Sequence, residues 1–119
     1  MPDCTESDFT ALRAMLIQLE AIESELRCMG LWSLQPPSAG ALSSETPFAC
    51  DAMPLEMWLQ WIFLPRMRET LRQNIRPPAA CHVHAYAAHV FVTHGVAAKP
   101  LVQAIRGFDE RFAVWVERV

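Results

Sequence analysis

The chain has 119 residues, with 13 acidic and 10 basic side chains and a formal net charge of −3. Hydrophobic residues make up 52% and charged residues 19%, which excludes a disordered chain. The acidic total argues against a whole-surface attraction to nucleic acid. The length fits a single domain over residues 1–119, and a domain of this size needs neither a disulfide nor a metal to hold its core.

The first residues show no basic start followed by an apolar run, so we expect no secretory signal and a cytoplasmic protein with reduced thiols. Residues 77–98 contain no formal charge, so we considered whether they could form a membrane-spanning helix. Because prolines, a glycine and four histidines interrupt this stretch, we predict buried or half-buried helical structure there and no membrane span.

Apolar spacing predicts a long helix at each end of the chain. From about Asp8 to Met29, apolar residues recur every three or four positions, and Gly30 supplies a stop. The last helix is predicted to begin near Lys99 or Pro100 and to reach the C-terminus, with the heptad-like apolar seam of a bundle helix.

The middle of the chain is predicted to be helical as well, after a loop at 31–46 and a short helical piece at 47–53. Pro54 fits the first position of a helix that continues to about Asn74, and the ring of Pro65 must kink or restart it. A further helix is expected at 83–93. We therefore predict an all-α fold, an antiparallel four-helix-type bundle with a Pro-kinked central helix.

Four histidines cluster near Cys81, at positions 82, 84, 89 and 94. Metal ligands on one helix favour a spacing of four, whereas His84, His89 and His94 are five apart, which spreads them around the helix. We predict no metal site and no cofactor. A small-molecule or metal-binding bundle is kept as a further alternative.

Catalytic signals are weak in this sequence. No cysteine lies in a recognisable reactive motif, and the four glycines are scattered, so they form no phosphate-binding loop. We therefore predict that the protein is not an enzyme.

Arg68, Arg72 and Arg76 are spaced four apart and share one helix face, with Arg66 nearby. Charge also divides the chain, because residues 1–56 have a net charge of −7 and the remainder has +4. This face indicates contact with RNA phosphates or with an acidic partner, or else a solvated outer face that pairs with glutamates of the first helix.

Trp58 and Trp61 are three residues apart on the segment with the densest apolar content. Core packing explains both. An exposed tryptophan beside the arginines would instead mark an interaction hot spot, since Trp and Arg are enriched at such positions.

Residues 46–67 carry a more specific pattern: Thr46-Pro47-Phe48, then Asp51-Ala52-Met53, then a run that reads Leu-Glu-Met-Trp-Leu-Gln-Trp-Ile-Phe-Leu-Pro-Arg-Met. This pattern resembles the core signature of the YqcC-like family of small bacterial proteins. Ala52 replaces the more usual Thr, and the histidine-rich stretch is divergent.

The resemblance implies an all-α bundle without established enzymatic activity. It also implies an accessory role in tRNA modification, because genes of this family often lie beside that of a tRNA pseudouridine synthase. We therefore expect a non-catalytic interaction module with a protein partner, while RNA contact and a homodimer stay open. The predicted binding surface consists of Asp51, Trp58, Gln60, Trp61, Arg66, Arg68, Arg72 and Arg76.

Overall fold

The structure, a computed structural model, describes residues 3–117, with side chains from residue 9 onward. All regular structure between residues 3 and 117 is helical, so the predicted all-α class is confirmed. In chain order the elements are α1 (Asp3–Cys28), α2 (Ala39–Leu42), a 3₁₀ turn (Pro47–Ala49), α3 (Leu55–Trp58), a π-helical turn (Leu59–Phe63), α4 (Leu64–Gln73), α5 (His84–Val90), a 3₁₀ segment (Phe91–Ala98) and α6 (Lys99–Glu117).

α1 is longer than predicted. It begins at Asp3 rather than near Asp8, because neither glycine nor proline interrupts residues 3–28.

The end of α1 follows the prediction. Gly30 adopts a φ of 72°, and its N–H donates to the carbonyl of Arg27 at 3.0 Å. The N–H of Leu31 donates to the carbonyl of Leu26 at 2.9 Å. These two bonds close a helix through a left-handed residue, a conformation that glycine adopts at little cost.

α3, the π-helical turn and α4 form one rod, which we call the central helix (residues 55–73), since the residues at both junctions keep right-handed helical dihedrals. In the π-helical turn, the N–H of Leu64 donates to the carbonyl of Leu59. Pro65 follows directly, and this wider turn makes room for a ring that would clash with the carbonyl of Trp61 in a regular helix. The kink itself stays a prediction. Asn74, with a φ of 55°, ends the rod.

Two shorter elements differ from the sequence predictions. Residues 31–46 are not wholly a loop, because Ser38 accepts from the N–H of Ala41 and starts α2. The helix expected at 83–93 ends at Val90 and continues as a 3₁₀ segment, in which Gly95 has a φ of 62°. The predicted start of the last helix at Lys99 is confirmed.

One hydrophobic core joins the long helices. α1 and α6 run antiparallel, because Ala11 and Ala14 lie beside Val114 near the end of α6, whereas the later residue Gln18 approaches Gly107, nearer the start of α6. The central helix runs back along α1. Near its start, Gln60 bonds to Ser33, which follows α1, and further along the central helix Arg68 bonds to Glu23 within α1. The largest fully buried side chains of the core are aromatic: Trp115, Phe63, Phe91, Phe108 and Phe112.

Candidate functional site

The family signature and the start of α5 meet in a cleft of about 260 Å³, which we call the signature cleft. One wall is the 3₁₀ turn, the second is the central helix, and the third is the segment that leads into α5. The lining residues are Pro47, Phe48, Trp58, Phe63, Arg66, Met67, Cys81, His82 and Val83. Most of the lining is apolar, with Arg66 and His82 as its exposed polar side chains.

Phe48 forms the first wall at a conformational cost. Its φ is 59° and that of Ala49 is 49°, a region that a bulky side chain rarely occupies. Such a residue costs about 1–3 kcal/mol and persists only where its surroundings fix it. Here the ring stacks on Tyr86 with centroids 4.6 Å apart and meets the edge of Trp58 at 5.1 Å. These contacts hold an aromatic wall in a defined position.

Asp51 stabilises the strained turn from outside the cleft. Its carboxylate accepts from the hydroxyl of Ser44 at 2.6 Å. Hydrogen bonds from Ser44 and then from Thr46 lower the pKa of Asp51, so the carboxylate is ionised at neutral pH. The role of Asp51 in a binding surface stays a prediction; in the structure its carboxylate closes the segment 44–51, which contains Phe48.

Asp109 of α6 fixes the third wall. The side chain is 4% exposed, and its Oδ2 accepts from the backbone N–H groups of Val83 at 2.7 Å and of His84 at 2.8 Å. The same oxygen lies 3.0 Å from the ring Nδ1 of His84, and Oδ1 lies 3.2 Å from the thiol of Cys81. One buried carboxylate therefore satisfies the donors at the start of α5. Sequence reasoning missed this residue.

The Cys81 thiol does not fit a nucleophile. Burial first, and the negative charge of Asp109 second, raise the pKa of Cys81 far above its ordinary value. The thiol therefore stays protonated at neutral pH. Because the thiolate is the reactive form, Cys81 is a poor nucleophile. The cleft therefore combines an apolar surface with the charge of Arg66, and its thiol is not activated.

The arginine face is largely occupied within the chain. Arg68 pairs with Glu23 of α1 at 2.7 Å, Arg72 pairs with Glu69, and Arg76 donates to the carbonyl of Trp115 at 2.7 Å while it lies over the indole. The predicted pairing with a glutamate of the first helix is thus confirmed for Arg68.

Arg66 differs from its neighbours. Its side chain is exposed at the rim of the signature cleft, and no carboxylate in the described part of the chain pairs with its guanidinium. Its guanidinium therefore keeps its hydrogen-bond donors accessible beside the apolar lining.

The Glu23–Arg68 pair gives the fold a predicted acid sensitivity. The hydrogen bond from Arg68 is the main reason that the pKa of Glu23 lies below its ordinary value of 4.5. A lowered pKa means that the pair stabilises the fold above pH 4.5, and this contribution is lost as the pH falls through the folded-state pKa. We expect Glu23→Gln to lower the free energy of unfolding by about 0.5–1 kcal/mol at pH 7 and by nothing measurable near pH 2.

Urea titrations at both pH values check this expectation. Glu20→Gln serves as the control, because Glu20 is exposed on the same helix and no ion pair of the described residues involves it. An equal loss for Glu23→Gln at pH 7 and pH 2 would show that charge plays no part.

Like Asp51 and the three paired arginines, the last two residues of the predicted binding surface are not part of the cleft lining. Gln60 is only 6% exposed, and its amide exchanges two 2.7 Å hydrogen bonds with the backbone of Ser33. The prediction that Gln60 is part of an accessible surface is therefore wrong, because the side chain ties the segment after α1 to the central helix. Trp61 is half-buried, and its buried indole N–H has no acceptor among the described residues.

The histidines do not converge. His84 contacts Asp109, whereas His82, His89 and His94 are exposed. Within residues that the structure describes, no three His, Cys, Asp or Glu side chains are close enough to hold a metal ion.

The uncharged stretch 77–98 is divided between core and surface. Val83, Ala87 and Phe91 are buried, whereas Val92 and Val96 are 68% and 77% exposed. Over the described residues, no helix combines the length and the apolar character that crossing a bilayer requires.

These features define a small all-helical protein in which part of the signature segment lines a cleft. A family model described as tRNA pseudouridine synthase C matches residues 14–111. The uncharacterized protein YqcC of Escherichia coli is 33% identical over 98 residues, which cover 82% of this chain and 89% of that one. The chain belongs to the YqcC-like family, as the signature indicated.

A solved structure supports the fold. The solution NMR structure of E. coli YqcC superposes with a TM-score of 0.76 at 29% identity, covering 87% of this chain and 89% of the other.

Two further relatives match in part. An uncharacterized protein of Haemophilus influenzae is 38% identical over 68 residues, 57% of this chain and 64% of its own length. A protein of Pectobacterium carotovorum named tRNA pseudouridine synthase C is 44% identical over 57 residues, 48% of this chain. This chain spans only 15% of that relative's length.

Proposed function

We propose that this chain is a non-catalytic interaction module of the cytoplasm that binds a tRNA pseudouridine synthase. The observation that carries the proposal is the signature cleft, an apolar surface with an unpaired arginine at its rim. Aromatic and arginine side chains beside a desolvated pocket are the usual composition of an interface hot spot.

The relatives supply the reason for this choice of partner. In the Pectobacterium protein, a segment similar to this chain is part of a much longer polypeptide that bears the synthase name. In such a polypeptide the covalent link keeps the two segments at a high effective concentration. A separate chain such as this one would need a docking surface to stay associated with the synthase.

The absence of an activated nucleophile in the cleft favours a binding role over a catalytic one. The Cys81 thiol is held protonated, and Asp109 is used in backbone hydrogen bonds. The chain would then act on the synthase or on its placement at tRNA, while the chemistry belongs to the partner.

The proposal is tested by the pseudouridine content of tRNA in cells that lack this chain. Because pseudouridine and uridine have the same mass, pseudouridine is first labelled with a carbodiimide and then located by mass spectrometry of tRNA fragments. We expect the content at the sites of one synthase to fall, and wild-type chain or Arg72→Ala to restore it. Arg66→Ala should restore it poorly, because Arg66 lines the cleft whereas Arg72 pairs with Glu69.

Unchanged pseudouridine in the deletion strain would refute the accessory role. Failure of Arg72→Ala, with Arg66→Ala fully active, would instead favour direct RNA contact through the arginine face. Trp61→Ala adds a third measurement, and a loss of restoration there would extend the surface beyond the cleft.

A further inference from the structure

We infer that the signature cleft binds an acidic, apolar peptide segment of its partner, with an apolar side chain between Phe48, Trp58 and Met67 and a carboxylate beside Arg66. This inference rests on the proposed function and specifies what the partner must present. It concerns the chemistry of the occupant, which can be tested with small probes before any partner is isolated.

The size of the cleft fits a side chain. Pockets for drug-sized ligands span roughly 300–1,000 Å³, and this cleft has about 260 Å³. Its apolar lining from Phe48, Trp58 and Met67 favours a leucine, phenylalanine or similar anchor, whose burial supplies the main favourable free energy.

Charge complementarity indicates that the occupant also presents a carboxylate. Arg66 is exposed without a carboxylate partner among the described residues, and His82 is exposed on the segment that leads into α5. None of the lining residues is acidic. An anionic group of the occupant would therefore meet a cation and no carboxylate in the lining, since Asp109 is buried behind Cys81. A guanidinium binds a carboxylate with two parallel hydrogen bonds.

The walls are positioned before binding. The stacking of Phe48 on Tyr86 fixes one wall, and Asp109 fixes the other through Val83 and His84. A preformed site loses little conformational entropy when the occupant arrives, so a short peptide segment suffices.

A nucleotide fits the same place less well. Recognition of an unpaired base needs partners for its donor and acceptor edges. The exposed polar groups of the cleft are Arg66 and His82, and the Cys81 thiol is already in contact with Asp109. The observations therefore favour a peptide over RNA.

Three probes of known chemistry test the inference on the full chain: 3-phenylpropionate, its uncharged amide, and uridine 5′-monophosphate. Binding is followed by NMR through the indole N–H signals of the tryptophans. We expect 3-phenylpropionate to shift the Trp58 signal saturably and to bind at least about fivefold more tightly than the amide, as one charge-assisted hydrogen bond allows.

Arg66→Gln should abolish this preference for the carboxylate, whereas Arg106→Gln should retain it. Arg106 is an exposed arginine of α6 that pairs with Glu110, so its substitution removes the same charge away from the cleft. Unchanged signals for the remaining tryptophans would establish that both variants are folded.

Equal affinity for acid and amide, tighter binding of uridine 5′-monophosphate, or no saturable shift would each overturn the inference. A different result would refute the proposed function alone. Normal tRNA pseudouridine in the deletion strain, together with selective binding of 3-phenylpropionate, would leave the cleft chemistry standing and remove only the synthase as partner.

Discussion

Asp109→Ala should lower the free energy of unfolding by about 3 kcal/mol or more, the largest expected effect of any substitution at an ionisable residue in this chain. The carboxylate accepts from two backbone N–H groups and contacts His84 Nδ1 and the Cys81 thiol, while only 4% exposed. Each buried donor that loses its acceptor costs about 1–3 kcal/mol. For a chain of this length, 3 kcal/mol corresponds to a fall in Tm of roughly 10 °C.

Glu110→Ala is the matched control, since Glu110 is the next residue of α6 and makes an exposed pair with Arg106. We expect it to change stability by no more than about 0.5 kcal/mol. Thermal and urea unfolding measure both variants, and Asp109→Asn should lie between them because it keeps one acceptor oxygen. If Asp109→Ala and Glu110→Ala unfold alike, the carboxylate does not hold the start of α5.

The position of Asp109 could have been found in the sequence. It lies four residues after Ile105 and three before Phe112, which places an acidic residue on the buried side of α6. A charge at such a position needs partners, because an unpaired buried carboxylate is costly. What the sequence does not specify is which donors approach it, since they come from 25 or more residues away.

The two terminal helices were predictable because their apolar spacing is regular, and Gly30 and Lys99 mark boundaries that the structure retains. The π-helical turn at 59–63 was not, because it arises from how the helix accommodates Pro65 rather than from any periodic pattern. The left-handed Phe48 was equally hidden, since its conformation depends on tertiary contacts with Trp58 and Tyr86.

The candidate site was predicted only in part. The signature segment located one side of the cleft, including Trp58 and Arg66, because these positions matched a family pattern. Cys81 and Val83 were missing from the prediction, since a chain segment some 15 residues beyond the signature reaches the cleft only after folding. Gln60 was misplaced because the amide that resembles a surface group in the sequence pairs with Ser33 inside the fold.

On the proposed function, Arg66→Glu should weaken the complex with a tRNA pseudouridine synthase by roughly 30- to 160-fold, the second large effect. Reversing the charge removes the pairing with the partner's carboxylate and adds repulsion, which together reach the 2–3 kcal/mol of a hot-spot residue. Because Arg66 is exposed and makes no ion pair among the described residues, we expect the fold to keep its stability within about 0.5 kcal/mol. Arg106→Glu carries the same charge reversal on another exposed site, and its effect on the affinity should stay within about threefold.

The most direct test of docking at the signature cleft is a calorimetric titration of this chain with the purified tRNA pseudouridine synthase of the same cells. We predict a saturable complex with wild-type chain, retained by Arg106→Glu and lost or strongly weakened by Arg66→Glu. The absence of any complex with wild-type chain, or equal affinities for wild type and Arg66→Glu, would contradict the claim that the signature cleft docks this partner.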